Sequence, residues 1–221
     1  MATHAPARVT RTRRAELLRG IYVILNDAPE IIETARAVLD AGIRIIQYRA
    51  KSGIRPTSLR RLRELTWKRD ALLILNDRWR AAIEYDCDGV HLGPDDDGFA
   101  TVARMRPEMH DRLIGLSCGS PREIEEANER DVDYLGIGPV FATASKSDAG
   151  TPLRPSGLRA LAERTHLPVA AIGGIDPDNL LEIRRGGVAM AAVISAVASA
   201  SDPGQAARRL AAGWDAAGRQ L

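Results

Sequence analysis

Residues 43–51 read IRIIQYRAK, a short apolar run that ends in an amide and two cations. Its first part, 43–47, has the length and the Ile-rich composition of a buried strand. An amphipathic stretch at 29–39 precedes it, and another begins at Pro56 and continues to Arg69. Proline at the first position of a helix favours a helix start. A strand between two helices is the unit of a parallel sheet, so this region predicts a βα fold.

The same alternation recurs along the chain. Ile-, Val- and Leu-rich runs predict eight strands, at residues 21–25, 43–47, 72–75, 89–91, 113–116, 134–137, 169–172 and 191–194. Further helices are predicted at 122–128, 177–185 and 203–217. Eight strand–helix units in 221 residues predict the α/β class and a single (β/α)8 TIM barrel. An open doubly wound sheet is the alternative, but no GxGxxG motif follows the first strand, and polar residues follow many strands.

The composition excludes several classes of protein. Among 221 residues, 31 Lys and Arg are balanced by 29 Asp and Glu, and a net charge of +2 gives no basis for binding nucleic acid. No apolar run reaches the ~20 residues of a membrane span. The two cysteines lie 31 residues apart and outside any metal motif, which indicates reduced thiols in a cytoplasmic protein. Only three of the basic residues are lysines, at positions 51, 68 and 146.

The domain organisation is simple. Residues 15–221 are predicted to form the barrel, because no linker or repeat divides them. Residues 1–14 are basic and rich in Ala, Thr and Arg, and no apolar segment of a secretory signal follows them. We expect a disordered basic tail there, with a mitochondrial presequence as the alternative.

A candidate anion site follows the second strand. The reacting groups of a TIM barrel come from the carboxyl ends of its strands. Gln47, Arg49 and Lys51 alternate with a period of two, so they face one side and direct an amide and two cations to one place. The planar guanidinium group of arginine, with its paired N–H donors, and the compact ammonium charge of lysine both suit a diphosphate ligand. A solvated charged loop is the alternative interpretation.

Acidic residues follow the next two strands. Asn76 and Asp77 end the third strand, and His91 ends the fourth, shortly before three aspartates at 95–97. Mg²⁺ takes one or two protein carboxylates and completes its shell with substrate phosphate oxygens. The sequence therefore predicts a metal site at Asp77 and one of the later aspartates, although each of those three could instead cap a helix. His91, among apolar neighbours, is predicted to pack or hydrogen-bond rather than bind metal.

The last four strands end in residues that suit a second anion. Ser117 ends the fifth strand, and TASK at 143–146 follows the sixth. Gly173 and Gly174 follow the seventh, and the eighth ends at 194–195 (IS). Glycines after strand seven with backbone donors after strand eight form the usual phosphate site of a barrel, whereas turn chemistry alone is the alternative. The irregular stretch 143–155 is predicted to be a lid. One mouth with two anion sites and a metal indicates two phosphorylated ligands, or one phosphorylated at both ends.

Five strings in order resemble the signatures of the thiamine phosphate synthase family. They are QYRAK at 47–51, LNDR at 75–78, DGVHLG at 88–93, DYLGIGPVF at 133–141 and IGGI at 172–175. Each is weak by itself, but their common order over roughly residues 20–200 makes the resemblance specific.

The resemblance implies an enzyme that joins 4-amino-2-methyl-5-hydroxymethylpyrimidine diphosphate to hydroxyethylthiazole phosphate, or to its carboxylate, with release of pyrophosphate. It implies Mg²⁺ as the cofactor and a dissociative reaction through a pyrimidine-methylene cation, without a protein nucleophile. The implied metal ligands are Asp77 and Asp96, and the implied catalytic cations are Arg49, Lys51 and Lys146. The implied substrate contacts are Gln47, Asn76 and Ser117 on the pyrimidine side and Thr143, Ser145, Gly174, Ile194 and Ser195 on the thiazole-phosphate side.

Some residues depart from the family pattern. Pro94 stands where Gln is common, Ala142 where Pro is usual and Ser145 where Thr is common. The sequence Cys-Gly-Ser at 118–120 replaces a small-His-Thr sequence, which puts the packing on the pyrimidine side in question. None of these changes removes a charged group from the implied mechanism.

Two other functions are compatible with the same barrel. A thiazole tautomerase paralogue would isomerise the thiazole by proton transfer, and it would not need the diphosphate cations or both metal carboxylates. A non-catalytic barrel that binds thiamine phosphate is the other. Small-molecule partners are expected in every case, and the sequence is compatible with a monomer or a homodimer.

Overall fold

Eight parallel strands close into a barrel in chain order, with the last strand paired to the first. The computed structural model describes residues 10–93, 98–143, 145 and 150–220. The strands are β1 (Gly20–Asn26), β2 (Ile45–Arg49), β3 (Leu72–Asn76), β4 (Gly89–Leu92), β5 (Leu113–Cys118), β6 (Tyr134–Ile137), β7 (Val169–Ile172) and β8 (Met190–Val193). The predicted α/β class and (β/α)8 TIM barrel are confirmed.

The strands differ from the predicted ones at their ends. β2 begins at Ile45, two residues later than predicted, because its first partner in β1 is Tyr22. β8 ends at Val193, which is paired with Val23, one residue earlier than predicted. Strand ends are set by the neighbouring strand of the ladder, which the local sequence does not contain.

Helices surround the barrel within the described residues. They are α1 (Arg11–Ala15), α2 (Ile31–Asp40), α3 (Pro56–Trp67), α4 (Trp79–Glu84), α5 (Gly98–Met105), α6 (Pro121–Asn128), α7 (Arg154–Ala162), α8 (Leu180–Arg185), α9 (Ser195–Ala198) and α10 (Pro203–Gly218). The helices predicted near α2, α3, α6, α8 and α10 are present. None of the described helices is long and apolar enough to cross a membrane.

Local chemistry explains where the helix predictions fail. α8 begins three residues later than predicted because the Asp176 carboxylate accepts the backbone N–H groups of Asp178 (2.9 Å) and Asn179 (3.1 Å), which holds a turn there. The sequence does not predict α7, whose first turn contains proline and glycine, or α4, which has only six residues.

The core has two layers, which follow from the two-residue period of the strands. Tyr22, Ile24 and Ile45 point into the barrel with Leu72 and Tyr134. The alternate residues of the strands pack outward against the helices. Because Ile45 points inward, Gln47 and Arg49 do so as well, and this alternation carries the side chains of β2 to the mouth of the barrel.

The amino-terminal end of the barrel is closed by buried ion pairs, and they correct the predicted domain boundary. Arg14 is 3% exposed, and its Nε donates to the Asp88 carboxylate at 2.9 Å. Asp88 also accepts from Arg63 (3.0 Å) and from the backbone N–H of Leu73 (2.9 Å). Residues 10–14 therefore belong to the folded domain, because an arginine buried against a carboxylate is fixed in place. The prediction of a disordered tail that extends to residue 14 is wrong. Residues 1–9 lie outside the described residues.

Candidate active site

A cavity of about 790 Å³ lies at the carboxyl ends of the strands. Eleven of the thirteen predicted site residues line it: Gln47, Arg49, Lys51, Asn76, Asp77, Ser117, Thr143, Ser145, Gly174, Ile194 and Ser195. The other two, Lys146 and Asp96, lie outside the described residues. Side chains that follow different strands thus meet in one space.

The cations stand on the side of the cavity formed by β2. Gln47 is 2% exposed and forms part of the floor, whereas Arg49 and Lys51 lie further out along the same strand and loop. Arg49 Nη1 donates to Asn26 Oδ1 at 3.4 Å, so the guanidinium rests beside the end of β1. An amide below two cations is an arrangement that suits a polar head with an anionic tail.

The loop that carries Lys51 is anchored behind the cavity. The hydroxyl of Tyr48 donates to Asp27 Oδ1 at 2.7 Å and accepts the backbone N–H of Arg55 at 3.2 Å. The Arg55 guanidinium pairs with the same aspartate at 2.7 Å. Burial raises the pKa of Tyr48, so its hydroxyl stays protonated as a donor. This anchor fixes both ends of the loop that follows β2.

A carboxylate reaches the cavity from the end of β3. Asp77 has a left-handed backbone, with φ of 64°, and its N–H donates to the carbonyl of His91 at 2.9 Å. The Asn76 amide donates to its carboxylate. A carboxylate oxygen is a hard donor of the kind that Mg²⁺ prefers, and the ion completes its shell with substrate oxygens and waters. Asp77 therefore fits a magnesium ion on the grounds of donor chemistry.

A chain of hydrogen bonds crosses the floor of the cavity. The amide of Gln47 donates to the Tyr22 hydroxyl at 2.7 Å, and this hydroxyl lies 3.0 Å from that of Tyr134. His91 Nδ1 lies 3.1 Å from the Tyr134 hydroxyl, and its Nε2 lies 3.0 Å from Ser117 Oγ. Burial raises the pKa of both tyrosines, so they stay neutral. The prediction that His91 is a hydrogen-bonded histidine is confirmed.

This network includes residues that the sequence analysis missed. Tyr22 and Tyr134 lie 112 positions apart, yet their rings meet edge-on with centroids 6.1 Å apart. One feature of the sequence could have identified them, namely a tyrosine on the inward face of a barrel strand, where an aliphatic side chain is more usual. A hydroxyl at such a position needs a buried partner, and only the closed barrel supplies one.

The segment that departs from the family pattern lines the opposite wall. Cys118 and Gly119 border the cavity together with Glu123, whose carboxylate accepts the Gly119 N–H at 2.7 Å. Ser120 caps α6 by accepting the N–H of Glu123 at 3.3 Å. Burial raises the pKa of the Cys118 thiol to about 12, which leaves it protonated and unreactive. Glu123 is a cavity carboxylate that the sequence analysis did not identify.

The glycines after β7 allow two loops to approach each other closely. Gly173 and Gly174 have φ of 104° and 63°. A Cβ atom on Gly174 would lie 2.7 Å from the carbonyl oxygen of Ala142 and from Cβ of Phe141. The Phe141 N–H donates to the Gly173 carbonyl at 3.0 Å. These glycines therefore join β7 to the loop after β6, and they bring the backbone of both to the cavity.

The described parts of the predicted lid stand on this same side. Thr143 Oγ1 accepts the backbone N–H of Ser145 at 3.2 Å, and both residues line the cavity. The far end of the stretch is fixed, since the N–H groups of Leu153 and Arg154 donate to the carbonyls of Pro139 (2.8 Å) and Val140 (2.9 Å). Residues 144 and 146–149 lie outside the described residues, so the lid stays a prediction.

The fold and the cavity define a class of protein, a (β/α)8 barrel with cations and a carboxylate on one side of its mouth and glycine loops on the other. The family model described as thiamine monophosphate synthase matches residues 21–197, and this chain belongs to that family. The resemblance drawn from the five strings is thereby confirmed.

Individual relatives agree with this assignment. A thiamine-phosphate synthase of Archaeoglobus fulgidus is 46% identical over 181 residues, which are 80% of this chain and 84% of that protein. A bifunctional thiamine biosynthesis protein of Symbiobacterium thermophilum is 42% identical over 196 residues, 86% of this chain but only 40% of that longer protein. The structure of a thiamine phosphate pyrophosphorylase from Pyrococcus furiosus has a TM-score of 0.81 and 34% identity, and covers 92% of this chain and 98% of its own.

Proposed function

We propose that this protein is a thiamine phosphate synthase, which couples 4-amino-2-methyl-5-hydroxymethylpyrimidine diphosphate to hydroxyethylthiazole phosphate, or to its carboxylate, and releases pyrophosphate. The observation that carries the proposal is the single cavity at the carboxyl ends of the strands, where an amide, two cations, a carboxylate and a glycine turn meet. Membership of the family supplies the reaction class, and the side chains of this chain supply the roles that follow.

The β2 side of the cavity holds the pyrimidine diphosphate in this proposal. Gln47 and Asn76 present amides to the heteroaromatic ring, and Ser117 adds a hydroxyl whose partner is His91 at 3.0 Å. Arg49 and Lys51 lie above them and bind the diphosphate, with Lys146 as a third cation. An amide can both donate hydrogen bonds to ring substituents and accept hydrogen bonds from them, while the cations favour a substrate with an anionic group.

Mg²⁺ is the proposed cofactor, with Asp77 and Asp96 as its ligands. The ion would add positive charge against the diphosphate oxygens, which lowers the cost of the charge that develops on the leaving group. No group of three or more Asp, Glu, His or Cys side chains close enough to hold a metal occurs among the described residues. A magnesium ion does not need one, because it keeps substrate oxygens and waters in its shell.

The reaction is a substitution at the methylene carbon. The carbon–oxygen bond breaks and its electron pair leaves with the diphosphate, so a cation stabilised by the aminopyrimidine remains. Arg49, Lys51 and Lys146 stabilise the pyrophosphate by charge. The lone pair of the thiazole nitrogen then forms the new carbon–nitrogen bond, and thiamine phosphate and pyrophosphate are the products. With the carboxylated thiazole as substrate, the carboxyl group also leaves, as carbon dioxide. The protein provides no nucleophile, in line with the protonated thiol of Cys118.

The opposite side of the mouth holds the thiazole phosphate. Gly174 lines this side of the cavity, and its lack of a side chain lets the loop after β6 pack against it. Ser195 is the first residue of α9, whose first N–H groups lack partners within the helix. Thr143 and Ser145 add hydroxyls from the loop after β6. With the two anions on opposite walls, the thiazole nitrogen and the methylene carbon face each other, and positioning of this kind supplies much of the rate.

The direct test is a coupling assay. Purified protein is mixed with both substrates and Mg²⁺, and pyrophosphate and thiamine phosphate are measured together. We expect equal amounts of the two products, and loss of both when the metal is chelated. Tight binding of thiamine phosphate without turnover would instead identify a binding protein. Isomerisation of the thiazole without release of pyrophosphate would identify the tautomerase.

Variants separate the proposed roles. Arg49→Ala and Lys146→Ala should each lower kcat, by about 10²–10³-fold if they act as single preorganised charge donors. Asp77→Asn should lower turnover far more than it weakens thiazole-phosphate binding. Lys68→Ala is the matched control, because this exposed lysine lies at the end of α3 and outside the cavity. An equal loss of turnover and thiazole-phosphate affinity in Asp77→Asn would point to a structural role.

A cytoplasmic location, the absence of nucleic-acid partners and the choice between monomer and homodimer stay predictions.

A further inference from the structure

We propose that a second cavity, at the opposite end of the barrel from the candidate active site, binds a small polyphosphate anion. This lower cavity has a volume of about 570 Å³, which is within the usual range for small-molecule sites. Its walls come from the residues that begin β1 and precede β2 and from the carboxyl-terminal parts of α8 and α10. It shares no lining residue with the cavity at the strands' carboxyl ends.

Arginines from four separate places in the chain line the lower cavity: Arg19, Arg44, Arg184 and Arg219. Asp215 is the one acidic residue among its lining residues. None of the four arginines forms an ion pair within the described residues, whereas Arg14, at the same end of the barrel, pairs with a buried aspartate at 2.9 Å. With four arginines and one aspartate among its lining residues, the lower cavity holds an excess of positive charge.

Two of these guanidinium groups are held in place by the protein. Arg44 Nη1 donates to the carbonyls of Leu39 (3.2 Å) and Ile43 (3.1 Å), and this leaves its other nitrogens for a ligand. The guanidinium carbon of Arg184 lies 4.5 Å from the centre of the Trp214 ring. Its Nε is buried and lacks a hydrogen-bond partner within the described residues. The protein thus holds both guanidinium groups at the wall of the lower cavity.

The chemistry of the ligand follows from the donors. Guanidinium groups form paired hydrogen bonds with phosphate oxygens. Four guanidinium groups and one carboxylate leave a positive charge that exceeds the negative charge of a single phosphate. A diphosphate or triphosphate therefore matches the charge of the lower cavity better. The ligand does not need a nucleotide base that stacks on Trp214, because this ring is buried and Arg184 already covers one of its faces. Free pyrophosphate and the phosphate chain of a nucleotide share this chemistry.

The proposal goes beyond the proposed synthase activity and is tested apart from it. Inorganic pyrophosphate, tripolyphosphate and ATP are each titrated by calorimetry into the Arg49→Ala protein without Mg²⁺. These conditions weaken binding at the cavity at the carboxyl ends of the strands, the upper cavity. We expect saturable binding at the lower cavity. Changing Arg19→Gln and Arg219→Gln together in that background should weaken it at least tenfold. Both side chains are exposed and form no hydrogen bond within the described residues, so the fold should tolerate the change.

Arg36→Gln is the matched control, since it removes an exposed arginine from α2 outside the lower cavity and should change affinity less than twofold. Synthase turnover of the Arg19→Gln/Arg219→Gln protein should equal that of the wild type, which separates this proposal from the first. Preference for ATP over the inorganic anions would identify a nucleotide as the source. Absence of saturable binding, or equal affinity in the double variant and the Arg36→Gln control, would overturn the proposal. A crystal soaked in pyrophosphate gives a second measurement, in which density between Arg44 and Arg184 supports the site and density at the upper cavity alone refutes it.

Discussion

Gly115→Ala should destabilise the protein through the floor of the active-site cavity. Gly115 lies in β5 between two strands, paired with His91 of β4 and with Tyr134 of β6. A Cβ atom there would lie 2.2 Å from Cζ and 2.6 Å from the hydroxyl oxygen of Tyr134. The ring would therefore have to move by more than about 1 Å to reach the 3.4–4 Å of an ordinary contact.

The size of the loss follows from what that movement breaks. The Tyr134 hydroxyl lies 3.0 Å from Tyr22 and 3.1 Å from His91, and a shift of about 1 Å removes both hydrogen bonds. Overpacking costs about 1–3 kcal/mol and an unsatisfied buried polar group about 1–3 kcal/mol. We expect a total of about 3–5 kcal/mol, and hence a Tm lower by roughly 6–20 °C for a chain of this length.

Thermal denaturation followed by circular dichroism measures this loss. Gly119→Ala is the control, because a Cβ atom there would meet its nearest neighbour, the Gly138 carbonyl oxygen, at an ordinary 3.6 Å. A double-mutant cycle with Tyr134→Leu identifies the cause, since removal of the ring should abolish the penalty of the added methyl group. A Tm within about 2 °C of the wild type, or an unchanged penalty in the Tyr134→Leu background, would show that the contact with Tyr134 does not limit this position.

Further predictions concern stability and thiol reactivity. Asp88→Asn should lower the free energy of unfolding by about 3–5 kcal/mol, because it leaves Arg14 buried without its anion; a loss below about 1 kcal/mol in urea denaturation would contradict this. Tyr134→Phe should cost about 1–3 kcal/mol by the same measurement, since it removes the hydroxyl that joins the buried Tyr22 to the half-buried His91. Burial raises the pKa of Cys87 and of Cys118 to about 12. Both thiols therefore stay protonated at pH 8, and their reactivity should rise only as the pH approaches that value. A thiol reagent at pH 8 should modify neither cysteine in the native protein and both in denaturant; rapid labelling of the native protein would show that the burial is wrong.

The sequence alone determined the barrel and the residues around its mouth. Inward and outward positions alternate along a strand, so the pattern at 43–49 predicts that Gln47 and Arg49 share a side, and Lys51 on the following loop lines the same cavity. Residues that follow parallel strands collect at one end of a closed sheet. For this reason Asp77 and Ser117 line the same cavity, although 40 positions separate them.

Contacts across the barrel were decided only by the tertiary structure. Which inward side chains meet depends on the stagger of the closed sheet, and no local pattern encodes that stagger. The hydroxyls of Tyr22 and Tyr134 meet in this way, and Arg14 reaches Asp88 from a helix that its sequence does not predict. The four arginines of the lower cavity are likewise scattered along the chain. Local periodicity places a side chain on a face, but the closure of the barrel selects its partner, because that partner comes from a strand or helix far away in the sequence.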